Sequence, residues 1–306
     1  MRLTIKAGGL TLQNPTILAA GILGTTGASL KRVASLGAGA VVTKSIGVEP
    51  KYGHPNPSML KLECGYINAM GLPNPSYREF LQELDIAKQA GVPVIASIFG
   101  ASEAEFREAA EGLPGASAYE LNVSCPHAKG YGMQIGTDPA LVEAVTRAVK
   151  GVVDVPVWVK LTPNVTDITA IGRAAQDGGA EAVVAINTVK AMAIDVESGY
   201  PILGNINGGL SGPAIKPIAI KCVYDLYEAL DIPVIGVGGI SSWADAVEFL
   251  MAGASAVEIG SAVYDGLDVF ASVSMGLSDY LDRKGMKLED LIGLSHRVVR
   301  HEAHKC

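Results

Sequence analysis

Eight short runs of apolar, often β-branched residues recur along the chain, and longer segments with helical periodicity separate them. Near-continuous hydrophobicity is typical of parallel strands that are covered on both faces. The predicted strands are residues 16–20, 40–43, 93–96, 118–121, 155–159, 181–186, 233–237 and 256–259. Eight β/α units in succession predict an α/β protein built as a (β/α)8 TIM barrel.

Capping signals support the helical segments between these runs. Asp138 can cap a helix over residues 140–150, and Pro139 suits its first turn because the missing N–H is not needed there. Ser242 stands in the same way before a helix over residues 243–252. These boundaries place helices in the crossover positions that parallel strands require.

Three connections that follow strands are unusually long and rich in Gly, Pro, Asn or Ser. They span residues 45–75, 123–137 and 187–215. Loops that follow barrel strands lie at the C-terminal face, where such barrels build their active sites. We therefore expect these three segments to surround the site, with the potential to cover it as a lid.

Length and composition narrow the protein class. At 306 residues and 49% hydrophobic content, the chain suits one domain over residues 1–306. The net charge of −7 without a basic cluster argues against a nucleic-acid partner, and no apolar run approaches the length of a membrane span. The four cysteines are far apart, which argues against a metal or iron–sulfur site in this chain and favours the reducing cytoplasm.

Polar, chemically useful side chains follow several of the predicted strands. Lys44, Lys160 and Asn187 stand at three strand ends, and Asn122 and Cys125 lie three residues apart at a fourth. A thiol beside a hydrogen-bonding amide can transfer protons, although a lone cysteine is more often a small buried side chain. We expect these groups to meet at one rim of the barrel.

Glycine-rich segments predict a phosphate site. Residues 236–240 and 258–262 follow the seventh and eighth strands, where such barrels bind phosphate, and residues 207–213 form a third such loop. Rossmann and P-loop fingerprints are missing, which leaves a phosphorylated flavin or a sugar-phosphate-like substrate. Lys160 would stabilise a reduced flavin in the first case and form a Schiff base, as in a carbon–carbon lyase, in the second; an internal ion pair is its structural alternative.

The ordered motifs resemble those of family 1 dihydroorotate dehydrogenases, and most closely the 1B catalytic subunit, over residues 10–262 or so. The motifs that carry the resemblance are Asn14-Pro15, Thr43-Lys44-Ser45, the stretches 68–74, 120–126 and 159–163, Asn187-Thr188, and the stretch 208–217. The resemblance implies FMN above the barrel mouth and oxidation of (S)-dihydroorotate to orotate in pyrimidine (UMP) biosynthesis.

Site roles follow from the same resemblance. It implies that Cys125 removes the C5 proton while FMN accepts the C6 hydride. The implied FMN-binding residues are Ala20, Lys44, Ser45, Asn122, Lys160, Ile186, Gly212, Gly238, Gly239, Gly260 and Ser261. The implied substrate-binding residues are Lys44, Asn68, Ala69, Met70, Gly71, Leu72, Asn122, Asn187 and Thr188.

The resemblance also implies partners. A second subunit with FAD and a [2Fe-2S] cluster would pass electrons to NAD, in a heterotetramer around a homodimer of catalytic subunits, without a membrane quinone.

Two departures from the family pattern stand out, since His127 and Ser97 occupy positions where the family usually has Asn. The Cys-Pro-His stretch also resembles dihydropyrimidine dehydrogenases, and an FMN-binding barrel without turnover is a further alternative.

Overall fold

The computed structural model describes residues 3–124 and 135–303. Its strands are β1 (Ile5–Ala7), β2 (Leu10–Leu12), β3 (Thr16–Leu18), β4 (Ala40–Val42), β5 (Met59–Leu62), β6 (Gly65–Asn68), β7 (Val94–Ile98), β8 (Ala118–Asn122), β9 (Val157–Leu161), β10 (Ala182–Ala185), β11 (Val189–Ala191), β12 (Gly208–Ser211), β13 (Val234–Val237) and β14 (Ala254–Ile259). Its α-helices are α1 (Gly27–Ser35), α2 (Tyr77–Ala87), α3 (Glu103–Glu111), α4 (Pro139–Lys150), α5 (Ile168–Asp177), α6 (Lys216–Ala229), α7 (Trp243–Ala252), α8 (Val269–Lys284), α9 (Leu288–Leu291) and α10 (Leu294–Ala303). The predicted base Cys125 and its neighbour His127 lie outside the described residues.

Eight parallel strands close into a barrel in the order β10-β13-β14-β3-β4-β7-β8-β9. The predicted TIM barrel is thereby confirmed, and each predicted strand overlaps one barrel strand. Alternate residues of a strand point to opposite faces. Ile17 accordingly packs inside the barrel, whereas its neighbour Leu18 packs outwards in the layer that contains buried helix residues such as Phe80 and Phe249.

The bottom of the barrel is closed by the antiparallel pair β1 and β2. The indole N–H of Trp158, near the start of β9, donates a 2.7 Å hydrogen bond to the carbonyl of Gly8 between these strands. Trp158, Ile5 and Leu12 belong to the same buried cluster. Access to the barrel interior is therefore from the opposite, C-terminal end.

A four-stranded antiparallel sheet in the order β11-β12-β6-β5 stands over that end. It is built from the two long connections 45–75 and 187–215, whose glycine content indicated loops rather than strands. Close packing explains the glycines, since a Cβ on Gly209 would lie 1.9 Å from Oγ1 of Thr188. The third connection, 123–137, falls mostly outside the described residues.

The helix predictions are confirmed at both capped segments. The Asp138 carboxylate accepts from the backbone N–H of Ala140 at 2.9 Å, and Pro139 begins α4. Ser242 and Asp245 form a reciprocal capping box at the start of α7. In the described ranges, no helix combines the length and apolar character that a bilayer crossing requires.

Candidate functional site

A cavity of about 1320 Å³ opens at the C-terminal mouth of the barrel, beneath the four-stranded sheet. Every predicted site residue in the described part of the chain lines it. These residues are Ala20, Lys44, Ser45, Asn68, Ala69, Met70, Gly71, Leu72, Asn122, Lys160, Ile186, Asn187, Thr188, Gly212, Gly238, Gly239, Gly260 and Ser261. The structure thus brings together groups that are spread over 242 positions of sequence, from 20 to 261.

Lys160 lies at the floor of the cavity and is 6% exposed. Its Nζ is 2.6 Å from Oε2 of Glu258 and 3.6 Å from Oε1 of Glu120. Both glutamates are completely buried. The residues come from β8, β9 and β14, so the cluster spans the inside of the barrel; Lys160 lies within β9, rather than after the strand as the sequence indicated.

The charges of this cluster determine what Lys160 can do. Burial by itself lowers the pKa of Lys160, but the carboxyl groups of Glu120 and Glu258 outweigh burial and raise that pKa above its ordinary value. Burial first, and the neighbouring Glu258 second, raise the pKa of Glu120 well above its ordinary value. Lys160 therefore remains an ammonium ion at neutral pH. A Schiff-base lyase needs a neutral amine, so this geometry argues against that alternative.

Lys44 presents a second buried ammonium group to the same cavity, and it is also 6% exposed. Its Nζ donates a 3.0 Å hydrogen bond to the carbonyl of Gly21. Among the described residues, no carboxylate forms an ion pair with it, and burial lowers its pKa. A cation with remaining donors and no counter-ion in this part of the chain is suited to bind an anionic ligand.

Hydroxyl and carboxamide groups form the wall next to Lys44. The hydroxyls of Ser45 and Ser97 are 2.9 Å apart, and Nδ2 of Asn122 donates to Oγ of Ser45 at 3.1 Å. Nδ2 of Asn187 approaches Oδ1 of Asn122 at 3.5 Å, which is a weak contact. The backbone N–H of Thr188 donates to Oδ1 of Asn187 at 2.8 Å. These contacts orient two carboxamides that together offer donors and acceptors to a planar heterocycle.

The segment 69–72 borders the cavity from the side of the sheet. Leu72 has a positive φ of 56°, which is uncommon for a residue with a side chain. The Asn74 side chain holds this conformation, because its Nδ2 donates to the Leu72 carbonyl at 3.0 Å and its Oδ1 accepts from the N–H of Ser76 at 3.0 Å. Asn68 is held more loosely, with Nδ2 at 3.4 Å from the carbonyl of Gly209.

The predicted phosphate loops meet on one side of the cavity. Gly239 has a φ of +75°, and a Cβ there would lie 2.7 Å from the carbonyl oxygen of Gly212. At Gly260 such a Cβ would be in ordinary van der Waals contact with Ala19, at 3.6 Å. Strands β13 and β14 pair in parallel, with Val237 opposite Glu258, so the segments that follow them begin side by side. Residues 208–211 of the third predicted loop form β12 instead, but Gly212 directly follows that strand and packs against Gly239. Backbone N–H groups of the three segments therefore line one side of the cavity, where an oxyanion can be bound.

Sequence reasoning did not assign a role to Glu120 or Glu258, although a signal was available. Both are charged residues inside apolar strands, and both lie two positions after residues that point into the barrel, Ala118 and Ala256.

Sequence reasoning also missed Asn164, whose Nδ2 donates to the Thr188 carbonyl at 3.0 Å and whose Oδ1 accepts from the N–H of Lys190 at 2.9 Å. Asn164 lies in an irregular loop, where its sequence neighbours give no periodic signal.

Comparisons with known proteins give a consistent result. A family model described as dihydroorotate dehydrogenase matches residues 2–281. The chain is 76% identical over 300 residues to the catalytic subunit of dihydroorotate dehydrogenase B (NAD(+)) from Methanocella arvoryzae, covering 98% of this chain and 100% of the relative. The proteins of the same name from Methanosarcina acetivorans and Pyrococcus horikoshii are 69% identical over 296 residues and 56% identical over 299 residues; the coverage is 95% of both chains in the first case, and 97% of this chain and 98% of the relative in the second.

A solved structure shares the fold. The crystal structure of DHODH from Eimeria tenella in complex with ferulenol superposes with a TM-score of 0.85 and 24% sequence identity, covering 97% of this chain and 89% of that chain. At this identity the likeness concerns the fold alone.

Proposed function

This chain belongs to the dihydroorotate dehydrogenase family, and we propose that it is the catalytic subunit of a type 1B enzyme. The reaction is the oxidation of (S)-dihydroorotate to orotate in de novo pyrimidine biosynthesis. One observation carries the proposal: three kinds of group line the same cavity. They are the ion-paired Lys160, the buried Lys44, which has no carboxylate partner among the described residues, and the carboxamides of Asn68, Asn122 and Asn187.

The cavity fits FMN in two respects. Gly212, Gly238, Gly239, Gly260 and Ser261 would hold the phosphate, because their loops converge and leave backbone donors accessible. Lys160 would lie against the polar edge of the ring, where its permanent ammonium charge favours a negatively charged ring. Ala20, Lys44, Ser45, Asn122 and Ile186 would complete the ring site. When bound, FMN supplies the acceptor for two electrons.

Substrate recognition follows from the groups that remain. Lys44 and the backbone N–H groups around Met70, Gly71 and Leu72 would receive the carboxylate of dihydroorotate. Asn68, Asn122, Asn187 and Thr188 would pair with the ring amides, with Ala69 in contact with the ring. A dihydropyrimidine without a carboxylate would leave the buried Lys44 ammonium without an anionic partner, which favours dihydroorotate over the dihydropyrimidine dehydrogenase alternative.

Cys125 is the proposed base that takes the proton from C5 while hydride leaves C6. It directly follows Ser124, whose backbone N–H donates to Oδ1 of Asn122 at 3.3 Å and whose hydroxyl donates to the carbonyl of Lys160 at 3.2 Å. These contacts fix the start of the segment that carries the thiol. Ser124 and Lys44 are candidates to assist formation of the thiolate, which is the form that accepts the proton.

The electron acceptor belongs to the proposal as well. The relatives are named as catalytic subunits of NAD(+)-linked enzymes, which supports a second subunit and NAD as the final acceptor. The family resemblance of the sequence adds FAD and a [2Fe-2S] cluster on that second subunit, which would pass the electrons to NAD. We propose a homodimer of catalytic subunits within a heterotetramer in the cytoplasm.

One visible absorption experiment tests the proposed function. The purified full chain is loaded with FMN, and dihydroorotate or dihydrouracil is added without oxygen. Dihydroorotate is expected to bleach the flavin band, whereas dihydrouracil, which lacks the carboxylate, is expected to leave it unchanged. Bleaching by dihydrouracil alone would favour the dihydropyrimidine alternative, and no FMN binding would refute the proposal.

The role of Cys125 is tested separately with Cys125→Ser. A hydroxyl is a much weaker base than a thiolate, so reduction of the flavin by dihydroorotate is expected to slow by at least about 100-fold at neutral pH. Dithionite reduction of the same variant serves as the control because it does not need the base. An unchanged rate with dihydroorotate would remove Cys125 from the mechanism, whereas no reduction by dihydroorotate in the unmodified chain would support the non-catalytic alternative.

A further inference from the structure

Two buried carboxyl groups share one ammonium group at the floor of the cavity. Glu120 and Glu258 lie on strands β8 and β14, which are four strands apart around the eight-stranded barrel, and both side chains reach towards Lys160 on β9. The approach is unequal, with Glu258 at 2.6 Å and Glu120 at 3.6 Å from Nζ. Within the described residues, neither oxygen of Glu120 makes a hydrogen bond that meets standard geometry.

This arrangement cannot keep all three groups charged without a large cost. One ammonium neutralises one carboxylate, so a second ionised carboxyl would be a buried charge without a counter-ion. The charged groups that face Glu120 are Lys160 from β9 and Glu258 from β14. Glu258 has the shorter contact with Lys160, which leaves Glu120 as the carboxyl that retains a proton.

We propose that Glu120 keeps its proton while Glu258 is ionised as the counter-ion of Lys160, and that the two glutamates are positioning residues which set the net charge of the cluster beneath the cavity. With Glu120 protonated, the cluster of Glu120, Lys160 and Glu258 is neutral overall. Ionisation of Glu120 releases one proton to the solvent, moves no electron, and gives the cluster a net charge of −1. The pair thereby acts through Lys160 without touching the substrate.

The functional part of this inference rests on the proposed function. A negative charge beneath Lys160 disfavours the addition of electrons to a ring that lies on Lys160. We therefore expect ionisation of Glu120 to lower the reduction potential of the bound flavin, and Glu120→Gln, which mimics the protonated carboxyl, to prevent that fall.

The protonation of the pair can be measured without flavin. Infrared spectra of the flavin-free full chain at neutral pH, in H₂O and D₂O, are expected to show the carbonyl band of a buried protonated carboxyl group. Glu120→Gln should remove this band. Glu258→Gln should also remove it, because Glu120 then becomes the counter-ion of Lys160 and ionises. No band in the unmodified chain, or a band that persists in Glu258→Gln, would overturn the proposal.

Unfolding at different pH values gives an independent readout. Since the pKa of Glu120 is raised in the folded state, its protonation stabilises the fold most at pH values below the ordinary glutamate pKa of 4.5, and this stabilisation is lost as pH rises towards the folded-state pKa. Between pH 4.5 and the folded-state pKa of Glu120, the ratio of the unfolding constant of the unmodified chain to that of Glu120→Gln should rise about tenfold per pH unit. A constant ratio would refute the protonation of Glu120 in the folded state. Glu111→Gln, at the half-exposed end of α3, is the matched control, and an equal trend there would mean that the effect is not specific to the buried cluster.

The potential of the flavin-loaded chain completes the test. Across the pH at which Glu120 ionises, the unmodified chain should show an additional fall in midpoint potential that Glu120→Gln lacks. Equal pH profiles would refute the effect of the pair on the cavity even if the infrared result holds. If instead the chain binds no flavin, the proposed function fails, while the infrared and unfolding results still decide whether Glu120 is protonated in the folded chain.

Discussion

The floor and the wall of the cavity contain equally buried lysines in opposite electrostatic settings. Lys160 and Lys44 are each 6% exposed. At the floor, two carboxyl groups outweigh burial and raise the pKa of Lys160. At the wall, Lys44 has a carbonyl and no carboxylate within the described residues, and burial lowers its pKa. Two lysines of equal exposure therefore have pKa values shifted in opposite directions, because their neighbouring groups differ.

The difference suits two tasks. The charge of Lys160 is balanced inside the protein, so it persists whether or not a ligand is present. Lys44 has neutral partners in the described part of the chain. A bound anionic ligand would act as its counter-ion and would replace the interaction with water that Lys44 loses on burial. Substitutions at the two lysines should therefore have different consequences, and the largest loss of stability is expected at the floor.

Replacing Lys160 with Met should strongly destabilise the fold. The substitution leaves two buried carboxyl groups without their cation, and breaking a buried ion pair in this way costs about 3–5 kcal/mol. Because the carboxyl groups become neutral when protonated, the loss should be larger at pH 8 than at pH 5. Denaturant unfolding of the flavin-free chain at the two pH values measures both effects.

Lys150→Met is the matched control for that experiment. Lys150 pairs with Glu181 at 2.5 Å, but both side chains are partly exposed, at 24% and 37%. Such pairs contribute at most about 1 kcal/mol. Equal losses in the two variants would mean that the floor cluster is not a buried charge network.

At the wall, ligand affinity should depend on pH through Lys44. Because its pKa is lowered, Lys44 loses its proton at a lower pH than an ordinary lysine, and carboxylate binding is lost with it. Above that pKa the dissociation constant of orotate should rise by about tenfold per pH unit. Isothermal titration calorimetry of the FMN-loaded chain between pH 7 and 10 measures this trend.

Lys44→Arg provides the comparison that isolates the lysine. An arginine remains charged throughout this range, so its affinity should lack the alkaline loss even if the different shape weakens binding at every pH. Taking the ratio of the two proteins at each pH cancels the ionisation of the ligand itself. A ratio that does not change with pH would show that Lys44 is not the titrating group.

The barrel was predictable from sequence because its strands are apolar on both faces and its helices carry capping residues. The same rules failed for β5, β6, β11 and β12, which lie in segments predicted as loops. In β12, for example, Gly208 and Gly209 indicate a turn when they are considered alone. Their strand conformation depends on pairing with Asn68 and its neighbours, about 140 positions away. A local sequence pattern carries no information about a contact between residues so far apart in the chain.

The site was predictable where single residues stand at strand ends, as for Lys44 and Asn187. Glycine-rich segments after two strands indicated the phosphate site, and motif resemblance then supplied Asn68, whose position has no local signal. The carboxyl pair was missed because charged residues on a strand usually indicate a solvent-facing side. Only the closed barrel shows that Glu120 and Glu258 face inwards and meet the same lysine.

The smallest predicted effect concerns the neutral hydroxyl and carboxamide groups next to Lys44 in the wall. Ser97→Ala removes the hydroxyl that contacts Ser45, which in turn accepts from Asn122. One neutral hydrogen bond contributes about 1 kcal/mol, so the KM for dihydroorotate should rise roughly fivefold because the Asn122 carboxamide is less well oriented. Steady-state kinetics with an artificial electron acceptor measure the change, and the pH dependence assigned to Lys44 should persist.

Ser274→Ala is the matched control, since the Ser274 hydroxyl is buried in α8 and makes no hydrogen bond within the described residues. Its removal should leave KM and stability nearly unchanged. If Ser97→Ala instead lost activity as completely as a charge substitution, the wall would depend on more than neutral hydrogen bonds. The separation between Lys44 and the neutral groups beside it would then fail, because Ser97 would have to support Lys44 as well as Asn122.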